Sequence, residues 1–73
     1  MFLHIGKNSV IINKDLIGIF DIDKLNKSIY NDLKESHDII DISENDKKTL
    51  VLLETKGYIT NISSLTLSKR IKF

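Results

Sequence analysis

Leu16-Ile17-Gly18-Ile19-Phe20 runs directly into Asp21-Ile22-Asp23-Lys24-Leu25, and the change of pattern at Asp21 decides the fold class. The first five residues are apolar at every non-glycine position, as in a strand covered on both faces, which predicts a central strand. Gly18 within it leaves room for another backbone or a bulky side chain to approach. After Asp21 the spacing becomes helical: Ile22, Leu25, Ile29 and Leu33 recur at intervals of three and four and line one face. Lys24, Lys27, Asn31, Lys34 and Glu35 fall largely elsewhere on the wheel. Asp21 or Asp23 is a sound N-cap, and with Asp21 as the cap, Phe20 and Leu25 take the two positions of a hydrophobic staple. The helix is predicted to end near Ser36 or His37.

Upstream, Phe2, Leu3 and Ile5 open a short strand. Gly6-Lys7-Asn8 is a turn, and Ser9 to Ile12 returns as the second arm of a hairpin. Asn13-Lys14-Asp15 interrupts the pattern before the central strand. Downstream, Asp38 to Ile42 reads as a fourth strand and Ser43 to Lys48 as a polar loop with both signs of charge. Thr49 to Leu53 is a strong fifth strand, and Glu54-Thr55-Lys56-Gly57 is the turn into Tyr58 to Ile62. Ser63 or Ser64 caps a last helix carrying Leu65, Leu67 and Ile71, with basic residues in its final turn where the macrodipole favours them. The expectation is an α+β fold: a small, mostly antiparallel sheet with one amphipathic helix and a short C-terminal helix, residues 1–73 forming one domain.

Composition narrows the chemistry. The 73 residues contain no cysteine, which excludes disulfides and thiolate metal sites. His4 and His37 lack the close partners of a ligand set, so no metal or other cofactor is expected. Thirteen isoleucines favour the pleated strand surface, and ten lysines stand against one arginine. No stretch approaches the ~20 apolar residues of a membrane span, and Lys7 and Asn8 interrupt the apolar run a signal peptide needs, which predicts a soluble cytoplasmic protein. A net charge of +1 gives no global electrostatic case for nucleic acid. Local polarity is stronger: acids dominate Asp21 to Asp46, whereas Lys69, Arg70 and Lys72 close the chain without one.

A chain this short buries only about 60% of its unfolded surface. One amphipathic helix and one short helix are too little to cover Leu16–Phe20, Leu50–Leu53 and Ile39–Ile42 together. Part of that surface is therefore predicted to be buried between subunits.

The residues also resemble a known family. The opening Met1-Phe2-Leu3-His4-Ile5-Gly6, the Gly-Ile-Phe-Asp block ending at Asp21, and Lys48-Thr49-Leu50-Val51-Leu52 are similar to the RemB-type extracellular-matrix regulators. The most specific stretch is Ser63-Ser64-Leu65-Thr66-Leu67-Ser68-Lys69-Arg70. The resemblance covers nearly the whole chain and is weakest from Asn26 to Asp46. It implies a small cytosolic bacterial protein that promotes expression of biofilm-matrix genes, a non-enzyme without small-molecule substrate. Its RemA branch implies more: a homo-oligomeric ring whose outer surface engages duplex DNA. Head-to-tail contacts that close generate such rings.

RemA-like proteins carry adjacent arginines in the loop before the strong hairpin, and these are linked to DNA binding. The nearest counterparts here are Lys47 and Lys48, offset by a residue or two, which supply charge without the bidentate guanidinium fork. The family's basic residue before the third strand corresponds to Lys14 beside Asp15. Lys69 and Arg70 complete the nucleic-acid-binding candidates. For each, a structural role stands alongside: Lys47 and Lys48 share their loop with Glu44 and Asp46, and Lys69 and Arg70 sit where cations stabilise a helix end. Ser63, Ser64 and Thr66 read as caps, not nucleophiles, since no base or oxyanion donor accompanies them. No catalytic residue is assigned. Two readings stay open: a transcriptional regulator acting as a ring on duplex DNA, and an oligomeric protein-interaction module that binds none.

Overall fold

The computed structural model describes residues 2–71. Strands β1 (Phe2–Gly6) and β2 (Ser9–Ile12) form a two-stranded antiparallel sheet. Strands β3 (Leu16–Asp21), β4 (Asp38–Asp41), β5 (Thr49–Leu53) and β6 (Lys56–Thr60) form a second sheet in the order β3-β5-β6-β4. Helix α1 (Lys27–Ser36) joins β3 to β4, and α2 (Ser64–Arg70) closes the described chain. The result is the small α+β fold expected, antiparallel except where β4 runs parallel to β6. No helix among the described residues is long and apolar enough to cross a membrane.

Register explains the core. Val51 of β5 stands beside Ile19 of β3 and Tyr58 of β6, and on the opposite face Leu50 stands beside Phe20 and Ile59. On the Val51 side, Leu3, Ile5 and Ile11 of the hairpin and Leu67 of α2 pack into one buried cluster with it. Two buried hydroxyls tie the layers together. Thr60 Oγ1 donates to the Ile5 carbonyl at 2.6 Å, and Thr49 Oγ1 donates to the Ile62 carbonyl at 2.7 Å. Both sit in apolar surroundings, where an unpaired polar group is costly.

The structure corrects three expectations. Strand β3 lies at an edge of its sheet, and the centre is β5 with β6. The apolar content of β3 marked neither a central place nor full cover: α2 packs against it, its other edge is free of strands, and Ile17 is exposed. Next, Asp21 caps only a 3₁₀ turn over Ile22–Lys24, its Oδ1 accepting from Asp23 N at 3.1 Å. The Ile22 N–H is committed to the Lys48 carbonyl at 3.0 Å, which holds that residue in sheet register. The α-helix starts afresh after Asn26, whose Oδ1 accepts from Ser28 N at 2.8 Å. Ile22 and Leu25 are therefore outside the helix and no staple forms. Third, Gly57 lies in β6 opposite Leu52 and Ile39, and the turn shrinks to Glu54-Thr55. A Cβ at Gly57 would stand 2.7 Å from Ile39 Cδ1, so this glycine serves close packing, not turning. The glycine in β3 behaves as anticipated: the Phe20 ring lies over Gly18, 2.9 Å from where a Cβ would be.

The uncovered apolar surface is only partly where composition placed it, at Ile17 within Leu16–Phe20. Leu50, Val51 and Leu52 are buried within the chain. Among the described residues the large exposed hydrophobics are Phe2, Val10, Ile12, Ile17, Ile29 and Leu65.

Candidate nucleic-acid interface

Strand β4 ends at Asp41, and the chain turns sharply over Ser43–Asp46 before Lys47 and Lys48 lead into β5. Asp46 N donates to the Ser43 carbonyl at 3.1 Å, and Glu44 and Asn45 between them have φ of 54° and 70°. Two consecutive residues with positive φ, closed by that hydrogen bond, have the pattern of a type I′ turn. Asn45 tolerates that region; Glu44 is held there against its preference. The turn is anchored at its root. Ser43 is fully buried, and its backbone N–H and hydroxyl both donate to Asp41 Oδ1, at 2.9 and 2.5 Å. These hydrogen bonds, the hydroxyl's first and the N–H's second, hold the Asp41 carboxyl below the usual carboxylate range; the Lys47 ammonium adds to the effect and partial desolvation opposes it.

The lysines are spoken for locally. Lys47 Nζ lies 3.8 Å from Asp41 Oδ2, and Lys48 Nζ lies 3.7 Å from Asp46 Oδ2. A third pair joins this loop to the hairpin turn, Lys7 Nζ to Glu44 Oε1 at 3.4 Å. Lys7 and Asn8, with φ of 37° and 38°, form a second turn of the same left-handed kind. All the ion pairs found among the described residues thus fall on these two turns, three ammonium groups against three carboxylates. Lys7 was missed by sequence reasoning. Its signal was the Gly6-Lys7-Asn8 turn itself, whose tip projects whatever side chain it carries.

The backbone of Lys48 is fixed from both sides, its carbonyl accepting from Ile22 N and its N–H donating to the Thr60 carbonyl, each at 3.0 Å. Its side chain borders a small cleft with Asp21, Asp23, Ser63 and Ser64. Ser63 is the N-cap of α2, its Oγ accepting from Thr66 N at 3.2 Å. Lys47 and Lys48 are therefore adjacent, on a loop whose root and whose Lys48 backbone are hydrogen-bonded.

The other candidates lie elsewhere. Lys14 stands in a 3₁₀ turn, Asn13–Asp15, on the rim of a larger cleft of about 730 Å³ between β2, β3 and the β5–β6 turn. Lys69 and Arg70 end α2, where Arg70 Nη1 donates to the His4 carbonyl at 3.0 Å and pins the helix end to β1. No group of three or more metal-ligating side chains occurs among the described residues.

A sequence model described as "RemA-like: Extracellular matrix regulatory protein A-like" matches residues 2–71. The chain belongs to the RemA-like family. It is also 29% identical to Extracellular matrix regulatory protein B of Bacillus subtilis (strain 168) over 75 aligned positions, which span 100% of this chain and 93% of that protein. The RemA-like match thus covers every described element, from the hairpin to α2, including both turns that carry the ion pairs.

Proposed function

We propose that this RemA-like protein regulates extracellular-matrix genes by binding duplex DNA as a homo-oligomeric ring. Lys47 and Lys48, repeated in each subunit, supply the phosphate contacts. The family match along residues 2–71 carries the reading. The hydrogen-bonded root of the loop supports it, because the backbone that carries both lysines is placed before a phosphate arrives. Contacts of this kind position a protein on the backbone and read little sequence, so discrimination among promoters comes through shape and deformability. Each ion pair on the loop weakens a single contact, and several contacts on one duplex restore affinity through high effective concentration.

One observation favours a second reading, an interaction module that binds a protein partner and no DNA. The loop and its neighbouring turn carry equal numbers of opposite charges, each lysine within 4 Å of a carboxylate.

The double substitution Lys47→Glu, Lys48→Glu separates the two. Fluorescence anisotropy of a labelled duplex against wild type should show saturable binding that weakens steeply with salt, as counterion release requires. The double variant should lose it while keeping its fold and oligomeric mass. No binding by folded wild type at low salt would remove the DNA reading and leave the protein partner.

A further inference from the structure

The first acid of this chain is Asp15, so the β1–β2 hairpin carries none, and its one lysine, Lys7, stands at the tip. The fold brings that tip to the lysine loop. Gly6, with φ of 123°, lies so close to the second sheet that a Cβ there would stand 2.8 Å from Thr60 Oγ1 and 3.8 Å from Ile42 Cδ1. Those two neighbours flank the loop. Ile42 directly precedes Ser43, and the Thr60 carbonyl takes the Lys48 N–H at 3.0 Å. Thr60 Oγ1 in turn donates to the Ile5 carbonyl at 2.6 Å, so the strand leading to Lys7 is tied to the residue that holds Lys48. The Lys7–Glu44 pair, at 3.4 Å, then joins the two turn tips.

Other cations weighed from the sequence are placed differently. Lys14 stands at the far end of the sheet, beside the β5–β6 turn, and Arg70 is committed to the His4 carbonyl. Lys7 also differs from the loop lysines in its surroundings. Lys47 and Lys48 have Asp41 and Asp46 beside them, and Lys48 shares the small cleft with Asp21 and Asp23. Lys7 pairs with one carboxylate, Glu44, and both side chains are 62% exposed. An exposed pair of that kind shifts an equilibrium by no more than about fivefold. Because the hairpin contributes no acid, displacing Glu44 leaves its tip with an uncompensated positive charge.

We infer that Lys7 is a third phosphate-binding lysine of this surface, and that Glu44 is the carboxylate a phosphate displaces to reach it. This rests on the DNA reading proposed above and adds to it a cation from outside the loop. The two turn tips then act as one surface, since the ion pair that joins them is also the contact that the phosphate replaces.

Anisotropy titrations of a labelled duplex over a range of salt test the assignment, with circular dichroism and sedimentation velocity confirming fold and oligomeric mass. Each phosphate neutralised contributes about 0.9 to the slope of log affinity against log salt. Raising salt about fourfold should therefore cost wild type about 3.5-fold more affinity than Lys7→Gln for every subunit on the duplex. Glu44→Gln should instead tighten binding at low salt, by up to about fivefold per subunit. In the double variant that gain should vanish, because the lysine it frees is gone.

Four results would overturn the inference. Wild-type affinity and slope in Lys7→Gln, while Lys47→Glu, Lys48→Glu abolishes binding, removes Lys7 from the interface and leaves the DNA reading intact. Weaker binding by both single variants makes the Lys7–Glu44 pair a brace for the loop, not a source of contact. A Glu44→Gln gain that persists without Lys7 assigns the effect of the carboxylate to Lys47 and Lys48. Folded wild type that binds no duplex at low salt overturns the DNA reading and this inference together.

Discussion

Replacing Asp46 with asparagine should tighten DNA binding, and the structure sets the size of the gain. Asp46 Oδ2 stands 3.7 Å from Lys48 Nζ, and both side chains are more than half exposed. An exposed pair of this kind is worth roughly 0.2–1 kcal/mol, which a phosphate must displace before it captures the lysine. Once bound, that phosphate lies within about 7 Å of the carboxylate and meets roughly 0.6 kcal/mol of repulsion at the dielectric of water. Asparagine removes both effects, together about 1 kcal/mol, or about fivefold in affinity for each contact made. Anisotropy titrations at low salt read this directly. The gain should shrink as ionic strength rises, because charges separated by a Debye length of ~10 Å at 0.1 M are largely screened. Asp46 makes no side-chain hydrogen bond to a partner elsewhere in the fold, so unfolding free energy should stay within about 0.5 kcal/mol of wild type. Unchanged or weaker binding at low salt, by a variant of normal stability and oligomeric mass, would refute the assignment of Lys48 to phosphate.

Three further outcomes test the framework that holds the loop. Thr60→Val keeps the shape of a buried side chain but leaves the Ile5 carbonyl and the Ile62 N–H without their partner, and should cost about 2 kcal/mol in urea unfolding. Leu67→Ala empties a fully buried site in the cluster of Leu3, Ile5, Ile11 and Val51; a loss of about 3 kcal/mol, read by thermal circular dichroism, is a large share of a small domain's stability. Asp41 has a folded-state pKa below its unfolded value, so its contribution is complete above about pH 4 and disappears as pH falls through the lower folded value. Asp41→Asn should therefore flatten the acid limb of the stability profile relative to wild type, and parallel limbs in urea titrations would count against the Ser43 hydrogen bonds as its cause.

The elements of this fold were legible because each is marked by local chemistry. Ser63 as the α2 cap, His37 as the end of α1 and the Phe20–Gly18 contact all follow from residues within a few positions of one another. What the sequence hid depends on partners far along the chain. Asp21 is as good a cap as Asn26 by residue type, and the helix starts later because Lys48, 26 positions beyond Ile22, claims the Ile22 N–H. The edge position of β3 was hidden likewise. Hydrophobicity marks which residues seek cover, and strand order is set by which backbone edges meet. At the candidate interface, the lysines and the acids of their loop were visible as types. The pairing of Lys47 with Asp41, and of Lys7 with Glu44, needed the turn geometry to appear.

If the proposed reading holds, that geometry makes DNA binding depend on assembly. A loop whose cations each sit beside a carboxylate gives one subunit little net attraction for a phosphate chain, and +1 on the whole chain adds almost none at distance. A single copy should therefore bind DNA weakly at physiological salt. On the proposed reading, copies in one ring would present their Lys47–Lys48 pairs to the same duplex, and each added contact would act as an intramolecular event. On this argument DNA affinity, with Lys47 and Lys48 untouched, should collapse when the protein is diluted below the concentration at which it assembles, followed by anisotropy beside sedimentation velocity. Full affinity in a folded monomer would separate binding from assembly and count against contacts made by this charge-balanced loop.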